Sequence, residues 1–127
     1  MSDVDVVRQI YGAMAGRDYD TLFQLADESI VITQDERLPW GGRFEGHQGL
    51  AEFAAALTGA IESNVDIDAI FATDDEVIQM GHTKGTVAGT DRTFDIPEVH
   101  RWQIRDGKAV AAHFAIDTEA MLAVLEG

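Results

Sequence analysis

The segment from Phe94 to Arg105 constrains the fold more than any other part of the chain, because its residues alternate in polarity. A period of two is typical of a β-strand with one buried side and one side facing solvent. The buried side would carry Phe94, Ile96, Glu98, His100, Trp102 and Ile104. Ionisable side chains are expensive to bury. Because Glu98 and His100 interrupt an otherwise apolar side, the strand predicts a lined cavity at this point.

Length and composition predict a single domain, spanning residues 1–127, that folds without covalent cross-links. A chain of 127 residues can bury roughly two-thirds of its unfolded surface, which is enough for a core. The absence of cysteine excludes disulfides and thiolate sites. The histidines show no metal-ligand spacing, and the glycines form no phosphate-binding motif. We therefore expect no metal and no other cofactor.

The charge and the N-terminal sequence restrict the partners and the location of the protein. The chain has 23 acidic and 9 basic residues, which gives a formal net charge of −14. Such a field repels nucleic acid and anionic membranes, so neither is expected as a partner. The N-terminus lacks the basic and apolar regions of a signal peptide, and no uncharged stretch is long enough to span a bilayer. We expect a cytoplasmic protein.

Hydrophobic spacing changes along the chain from helical to strand-like. Helices followed by a meander of long antiparallel strands define the α+β class. The predicted order is a helix after Ser2 or Asp3, a helix capped by Asp18, a strand at 29–33, a helix from Leu50 to Ile61, strands near 65–73, 76–87, 92–105 and 109–116, and a final helix at 119–125.

The last two predicted strands are joined by the clearest turn signal in the sequence. Asp106-Gly107 lies between two alternating runs, which is typical of a β-hairpin. Three helices packed on one side of a strongly curved, mostly antiparallel sheet would enclose a cone-shaped pocket. The short helix at the C-terminus completes the predicted architecture.

This order of elements, together with four stretches of sequence, resembles a known superfamily. The stretches are YGAMAGRD at 11–18, LPWGGRFEG at 38–46, FDIPEVHRW at 94–102, and RDGK at 105–108 followed by Asp117-Thr118. They are similar to the nuclear transport factor 2-like superfamily, the α+β cone, and more narrowly to SnoaL-like and ketosteroid isomerase-like proteins. The resemblance covers nearly the whole chain. It implies a fold rather than one activity, because the superfamily contains isomerases, cyclases, hydratases, epoxide hydrolases and non-enzymes.

The resemblance also implies roles for individual positions. His100 falls where ketosteroid isomerases keep the protonated aspartic acid of their oxyanion hole. Their general base falls near Thr33, and their oxyanion-hole tyrosine falls near Ile10, one residue from Tyr11. Asp117 matches the acid/base aspartate of SnoaL-type cyclases. Because threonine cannot act as the base, ketosteroid isomerase activity itself is not expected.

His100 and Glu98 are the first candidates for catalysis. An imidazole titrates near neutrality, so His100 could act as a general acid/base or donate a hydrogen bond to a substrate oxygen. Residues two apart on a strand are ~6.5 to 7 Å apart, which lets Glu98 pair with His100 directly or through water. Glu98 could itself be the base, with its pKa raised by burial. The alternatives are a satisfied core histidine and a glutamate in water at the rim of the sheet.

Asp117 is the third candidate catalytic residue, and the resemblance is its main support. An N-cap of the last helix is the alternative, because aspartate is a favoured capping residue. The alternation also counts against catalysis, since Ala112, Phe114 and Ile116 form the apolar side and leave Asp117 on the other. Only a bulge before the helix would reverse this assignment.

Flat and apolar side chains are expected to shape the pocket for a ring-shaped ligand. Ordinary core packing is the alternative for the two tryptophans and, more strongly, for the phenylalanine between the second and third helices. The predicted lining residues are Trp40, Trp102, Phe44, Thr33, Tyr11, Ile104 and Phe114.

Two functions from different classes fit these features. The first is a cofactor-independent enzyme of isomerase, cyclase or hydratase type that acts on a small, apolar, cyclic carbonyl compound by acid/base chemistry. The second is a ligand-binding or assembly domain without catalysis, which the missing base at Thr33 favours. The resemblance further implies a homodimer, and Val87, Val99 and Ala115 would suit a contact through the outer side of the sheet.

Overall fold

The computed structural model describes residues 2–127 as four helices and six strands. These elements confirm the predicted α+β class. In chain order they are α1 (Asp3–Ala15), α2 (Tyr19–Leu25), β1 (Ala26–Gln34), β2 (Gly42–Glu45), α3 (Gly46–Ala60), β3 (Ile61–Ala72), β4 (Val77–Val87), β5 (Thr93–Arg105), β6 (Lys108–Ile116) and α4 (Thr118–Glu126).

The six strands form one mixed, curved and open sheet in the order β2-β1-β6-β5-β4-β3. Strands β3 to β6 are an antiparallel meander, and β2 pairs antiparallel with β1. The single parallel pair is β1 with β6. This pair joins the N-terminal part of the chain to the C-terminal hairpin, and α3, the helix between β1 and β6 in the sequence, packs against β1.

Local signals in the sequence explain where the helices begin. The Ser2 hydroxyl accepts a hydrogen bond from the Asp5 amide, and the Asp5 carboxylate accepts one from the Ser2 amide, which forms a capping box for α1. Asp18 caps α2 by accepting from the Thr21 amide. Both caps satisfy amide groups that a helix leaves unpaired at its first turn.

Two boundary predictions around α3 were wrong. The helix predicted from Leu50 to Ile61 instead begins at Gly46, directly after the unpredicted strand β2, and Ile61 begins β3 rather than ending the helix. The apolar stripe continues unbroken into the strand, so the spacing alone does not mark the change. Strand β3 therefore starts four residues before the predicted position of Val65.

The hairpin between β5 and β6 has the predicted turn. Asp106 and Gly107 both have positive φ, at 52° and 77°, which matches the two-residue turn that suits the right-handed twist of paired strands. Strand β5 alternates between exposed and buried residues over most of its length, as predicted. The inner side of the sheet is therefore the side that carries Glu98 and His100.

Two glycines let β3 lie close against β4. A Cβ atom at Gly81 would overlap the carbonyl oxygen of Asp66, and one at Gly85 would overlap the carbonyl oxygen of Glu62. Strand β3 also has a register shift between Ile67 and Ala69. A bulge of this kind bends a strand and increases its twist, so this end of the sheet folds over the helices.

The main core lies between the inner side of the sheet and helices α1, α3 and α4. Val87 belongs to this core and is buried, so its predicted place on the outer side was wrong. Val99 and Ala115 are exposed and pair with each other across β5 and β6. Within residues 2–127, no helix has both the length and the hydropathy needed to cross a membrane.

Candidate functional site

A cavity of about 350 Å³ opens between α1, α3 and the inner side of the curved sheet. Its volume is at the lower end of the range for small-molecule sites. Most of its wall is apolar and comes from α1, α3, β3 and the side chains of Trp40 and Met121. Its polar wall residues, other than two arginines, are Tyr11, Gln34, Ser63, Asn64, Thr83, Glu98 and His100.

A chain of hydrogen bonds lies along the inner wall of the cavity, and we call Tyr11, Gln79, Glu98, His100 and Trp102 the inner relay. The Tyr11 hydroxyl is 2.7 Å from His100 Nδ1 and 2.9 Å from Trp102 Nε1. Gln79 Nε2 donates to Glu98 Oε2 at 2.5 Å. His100 Nε2 lies 3.4 Å from Glu98 Oε1. The relay joins α1 to the two central strands of the meander.

Hydrogen-bond chemistry determines where the protons lie in the inner relay. Trp102 Nε1 can only donate, and Gln79 Nε2, which is 3.3 Å from the Tyr11 oxygen, also donates. The hydroxyl proton of Tyr11 is therefore directed to His100 Nδ1. A neutral imidazole whose Nδ1 accepts must carry its proton on Nε2. That N–H faces Glu98, so the relay fixes the tautomer of His100.

His100 is a neutral base in this environment. It is 6 % exposed and packs on Phe114, with ring centroids 4.7 Å apart. Burial lowers the pKa of the imidazole from 6.5 to about 3, because the charged form loses its hydration. At neutral pH the 3.4 Å approach of His100 Nε2 to Glu98 Oε1 is therefore a contact between a neutral imidazole and a carboxyl group, and not an ion pair.

Glu98 is the group in the relay that titrates near neutrality. It is 4 % exposed, and this burial raises its pKa from 4.5 to about 7, although the hydrogen bond from Gln79 acts in the opposite direction. A carboxyl group with this pKa can accept or donate a proton under ordinary cellular conditions. Burial also raises the pKa of Tyr11 far above its usual value, so that hydroxyl keeps its proton.

Gln79 was missed by the sequence analysis, although it completes the relay. It lies directly opposite His100 in the β4–β5 ladder and has no exposed surface. Its Nε2 donates to Glu98, and its Oε1 has no hydrogen-bond partner among residues 2–127. The alternation of Val77, Gln79 and Thr83 on the inner side of β4 is the signal that could have found it.

Asp117 does not line the cavity, and it has the capping role that the sequence analysis named as the alternative to catalysis. It is exposed and lies on the outer side of the sheet, beside Val99 and Ala115. Its carboxylate accepts a hydrogen bond from the Ala120 amide at 3.1 Å and so caps α4. The strand parity continues to its end without a bulge that would turn Asp117 inward.

Thr33 does not line the cavity either, because it points to the outer side of β1. Its hydroxyl is 2.7 Å from Nδ1 of His113, which pairs with it in the parallel β1–β6 ladder. The next residue, Gln34, faces the cavity instead. Neither threonine nor glutamine can act as a base, so β1 contributes no carboxylate to this site.

The other predicted lining residues divide into two groups. Tyr11, Trp40 and Phe114 line the main cavity, as predicted. Trp102 does not, because its indole is turned toward the Tyr11 hydroxyl and borders a smaller void of about 80 Å³ behind it. Phe44 does not line the cavity either. Its ring packs against the ring of Phe53, with centroids 5.5 Å apart.

Ile104 is likewise outside the cavity, because it lies near the end of β5, beyond Trp102. A register shift in the β5–β6 ladder comes just before it, between Gln103 and Ile104. Within the described residues, no group of three His, Asp or Glu side chains could hold a metal ion.

The sequence matches one family of known domains. A family model described as a SnoaL-like domain matches residues 7–112, which run from within α1 through β5 and into β6. No match was found among curated proteins.

Several solved structures have the same fold. A nuclear transport factor 2-like protein of unknown function from Burkholderia pseudomallei K96243 has a TM-score of 0.91, 22% identity and 100% coverage of both chains. TerC, co-crystallised with polyporic acid, has a TM-score of 0.87, 23% identity and 98% coverage of both chains. A protein proposed to be a SnoaL-like polyketide cyclase, from Shewanella denitrificans OS-217, has a TM-score of 0.76 and 18% identity, with 96% of this chain and 95% of that chain covered. At these identities the similarity establishes the fold and not an activity.

Proposed function

The chain belongs to the SnoaL-like domain family of the nuclear transport factor 2-like superfamily, and on that premise we propose that its cavity is the active site of an acid/base enzyme. The substrate class is an apolar carbonyl compound of about the size of a small ring system. The reaction class is removal of a proton next to the carbonyl, followed by isomerisation, ring closure or addition of water. The side chains of the relay supply the acid/base groups that this chemistry needs.

The observation that carries the proposal is the inner relay, because it combines a titrating carboxyl with a fixed hydrogen-bond donor. Glu98 has a pKa of about 7 and faces an apolar cavity. His100 holds its proton on Nε2, on the same wall. Clefts that hold groups with strongly perturbed pKa values and a specific partner are candidates for functional sites.

In the proposed reaction, Glu98 takes the proton and His100 stabilises the charge that develops. The carboxylate of Glu98 accepts a proton from the carbon next to the substrate carbonyl, and the electron pair of the broken C–H bond moves onto the carbonyl oxygen. The Nε2–H of His100 donates a hydrogen bond to that oxygen. Its present contact with Glu98 is long, at 3.4 Å, so little is lost when it turns to the substrate. The protonated Glu98 then returns the proton to another carbon or passes it to water.

Gln79 is suited to both protonation states of Glu98. Its NH₂ group donates to the carboxylate form, and its carbonyl oxygen, after a half-turn of the amide, can accept from the protonated form. Tyr11 acts at one remove, because it holds Nδ1 of His100 as an acceptor. We therefore regard Gln79 and Tyr11 as positioning residues.

The decisive experiment measures exchange of the protons next to the carbonyl in deuterated water, for a panel of cyclic ketones followed by NMR. Glu98→Gln keeps the shape of the side chain and the hydrogen bond from Gln79, and we expect it to lower the exchange rate at least about a hundredfold. His100→Ala should lower it by a similar factor, about 3–4 kcal/mol in barrier for an oxyanion donor. Asp117→Asn is the matched control, because that carboxylate lies on the outer side, and it should retain the full rate.

The proposal would be wrong if both Glu98→Gln and His100→Ala retained the wild-type exchange rate on a ketone that the protein processes. The second candidate function, a ligand-binding domain without catalysis, is favoured because the only residue that β1 contributes to the cavity wall is Gln34, so no β1 carboxylate faces the ligand. Thermal stabilisation by ketones without any exchange would support that function instead.

We also propose that the protein is a homodimer formed through the outer side of the sheet. Met80 and Val99 pair across β4 and β5, are 45% and 36% exposed, and lie beside the exposed Ala115. Phe71, which is 43% exposed, extends the same apolar surface onto β3. Light scattering at micromolar concentration should give twice the chain mass, and Val99→Asp should give the monomer. A monomeric wild type would contradict the proposal.

A further inference from the structure

Two unpaired arginines stand at the exposed rim of the cavity. Arg8 and Arg17 both line it and are both exposed, whereas Glu98 and His100 are buried in its wall. Among residues 2–127, no hydrogen bond or ion pair holds either guanidinium group. The chain has 23 acidic residues and only 9 basic ones, yet two arginines without a partner among residues 2–127 border the same cavity.

Of the five other arginines, three pair with carboxylates, Arg92 donates to backbone carbonyls of α4, and Arg105 has no hydrogen-bond or ion-pair partner among residues 2–127. Arg37 contacts Asp35 at 2.8 Å, Arg43 contacts Glu45 at 2.8 Å, and Arg101 contacts Glu76. Acidic partners are therefore easily found on this surface. The two arginines at the rim have none within 4.0 Å in the part of the chain that the structure describes, which leaves their donors available to a ligand.

Arg17 also occupies a backbone position that glycine normally takes. Helix α1 ends with the Asp18 amide donating to the Ala13 carbonyl and the Arg17 amide donating to the Met14 carbonyl, the hydrogen-bond pattern of a Schellman motif. The residue between these bonds must be left-handed, and Arg17 has φ 56°. A left-handed conformation is unfavourable for a residue with a Cβ, because the Cβ atom comes too close to the following carbonyl oxygen. Gly16, directly before it, has φ −85° and does not use its freedom.

A second costly residue lies on the same stretch of rim. Gly12 lines the cavity from the interior of α1, where glycine is less favourable than alanine. A Cβ atom there would meet nothing within 4 Å, so packing does not require a glycine. A side chain at this position would instead narrow the opening next to the arginines.

We propose that the rim is an anion-binding subsite, and that the natural ligand is an apolar carbonyl compound whose acidic group, such as a carboxylate or sulfonate, is held by Arg17 and Arg8. This inference rests on the proposed function, since it places the reacting carbonyl at the relay and the acidic group at the rim. The guanidinium group forms paired hydrogen bonds with planar and tetrahedral oxyanions. The net charge of −14 repels anions in general, so an anion can be retained only by local cations of this kind.

A matched pair of fluorescent probes tests the subsite without knowledge of the substrate. 1-Anilinonaphthalene-8-sulfonate carries a sulfonate, and N-phenyl-1-naphthylamine is the same ring system without it. Wild-type protein should bind the sulfonate more tightly than the neutral probe, despite the negative charge of the molecule. Arg17→Gly should lower the affinity for the sulfonate probe roughly tenfold, as expected for loss of a hydrogen bond to a charged group. The affinity for the neutral probe should stay within about twofold of the wild-type value. The same substitution should raise the melting temperature, because it relieves the left-handed backbone.

Two further variants complete the experiment. Arg105→Gln removes a positive charge that does not line the cavity, and it should change neither affinity. Gly12→Leu adds volume at the rim without charge and should weaken both probes. The inference is overturned if Arg17→Gly binds the sulfonate as the wild type does, if it weakens both probes equally, or if Gly12→Leu leaves sulfonate binding intact. Loss of the anion preference would not affect the exchange of neutral cyclic ketones, and failure of that exchange would not affect the probe preference, so the two proposals fail separately.

Discussion

Two histidine–carboxylate pairs lie on opposite sides of the same two strands, β4 and β5. The outer pair joins His82 Nδ1 to Asp95 Oδ1 at 2.6 Å, with side chains that are 39% and 56% exposed. The inner pair places His100 Nε2 3.4 Å from Glu98 Oε1, with side chains that are 8% and 1% exposed. The pair with the shorter contact is the one that water surrounds.

This difference shows that burial, rather than distance to a carboxylate, determines what a histidine can do in this protein. Water screens the outer pair, and an exposed pair of this kind contributes at most about 1 kcal/mol to stability. In the inner pair, burial favours the neutral form of both groups. The proton that titrates near neutral pH is therefore carried by Glu98 and not by His100. The proposed acid/base role therefore belongs to the buried pair of His100 and Glu98, although its contact is the longer one.

The largest expected effect on stability comes from the support of the inner pair. Tyr11→Phe removes the hydroxyl that donates to His100 and accepts from Trp102, which leaves the buried Trp102 Nε1–H without a partner and His100 Nδ1 with only the 3.3 Å contact to Gln79 Nε2. We expect the free energy of unfolding to fall by about 2–4 kcal/mol, measured by urea denaturation. Asp95→Asn, on the outer pair, should change it by less than about 0.5 kcal/mol. Equal losses in the two variants would remove the distinction between the two sides.

The next largest effect is on the pH dependence of stability. Because the pKa of Glu98 is raised to about 7, its contribution is present below about pH 4.5 and is lost as the pH rises through 7. Because the pKa of His100 is lowered to about 3, its contribution is present above about pH 6.5 and is lost as the pH falls through 3. Between about pH 4.5 and 6.5 the two slopes oppose each other, since the folded pair and the unfolded pair each hold one proton.

Single variants should separate these opposing slopes. Relative to wild type, Glu98→Gln should become more stable with rising pH, and His100→Gln less stable, each by up to about 1.4 kcal/mol per pH unit. Urea denaturation at several pH values between about pH 5 and 6.5 measures this, with Asp95→Asn as the control for the outer pair. Parallel curves for all four proteins would show that the inner pair titrates like an exposed one.

The smallest effect concerns Asp117, the carboxylate that the sequence analysis assigned to catalysis. Asp117→Ala removes the N-cap of α4 and should lower the free energy of unfolding by about 1 kcal/mol. Ketone exchange should be unchanged, because the side chain lies on the outer side. A loss of exchange larger than the loss of folded protein would return Asp117 to the site.

The sequence was most informative where one periodic signal extended over many residues. Alternation over β5 placed Glu98 and His100 side by side on the inner side, and the Asp-Gly turn placed the hairpin. These predictions depend only on the backbone period and on local turn chemistry. The helix caps at Ser2 and Asp18 succeeded for the same reason, since each acts within one turn of its own helix.

The errors arose where parity depended on partners far away in the sequence. Thr33 and Gln34 are adjacent, and only the pairing of β1 with β6 decides which of them faces the cavity. Gln79 is a polar residue within β4, and the sequence around it matches no motif. Only its place opposite His100 in the folded sheet reveals a role. Trp102 was predicted on the correct side of β5, but it does not line the main cavity, because its hydrogen bond to Tyr11 on α1 turns the indole ring away.

The left-handed turn at the end of α1 has a consequence for the selection of variants. A library that is screened only for heat resistance should accumulate glycine at position 17 and alanine or leucine at position 12, since both changes favour the helix and its end. A library screened for growth on an acidic ketone should keep Arg17 and Gly12 at the same temperature. The two screens would therefore diverge first at the opening of the cavity. The catalytic residues would stay unchanged in the growth screen and would be free to vary in the screen for heat resistance.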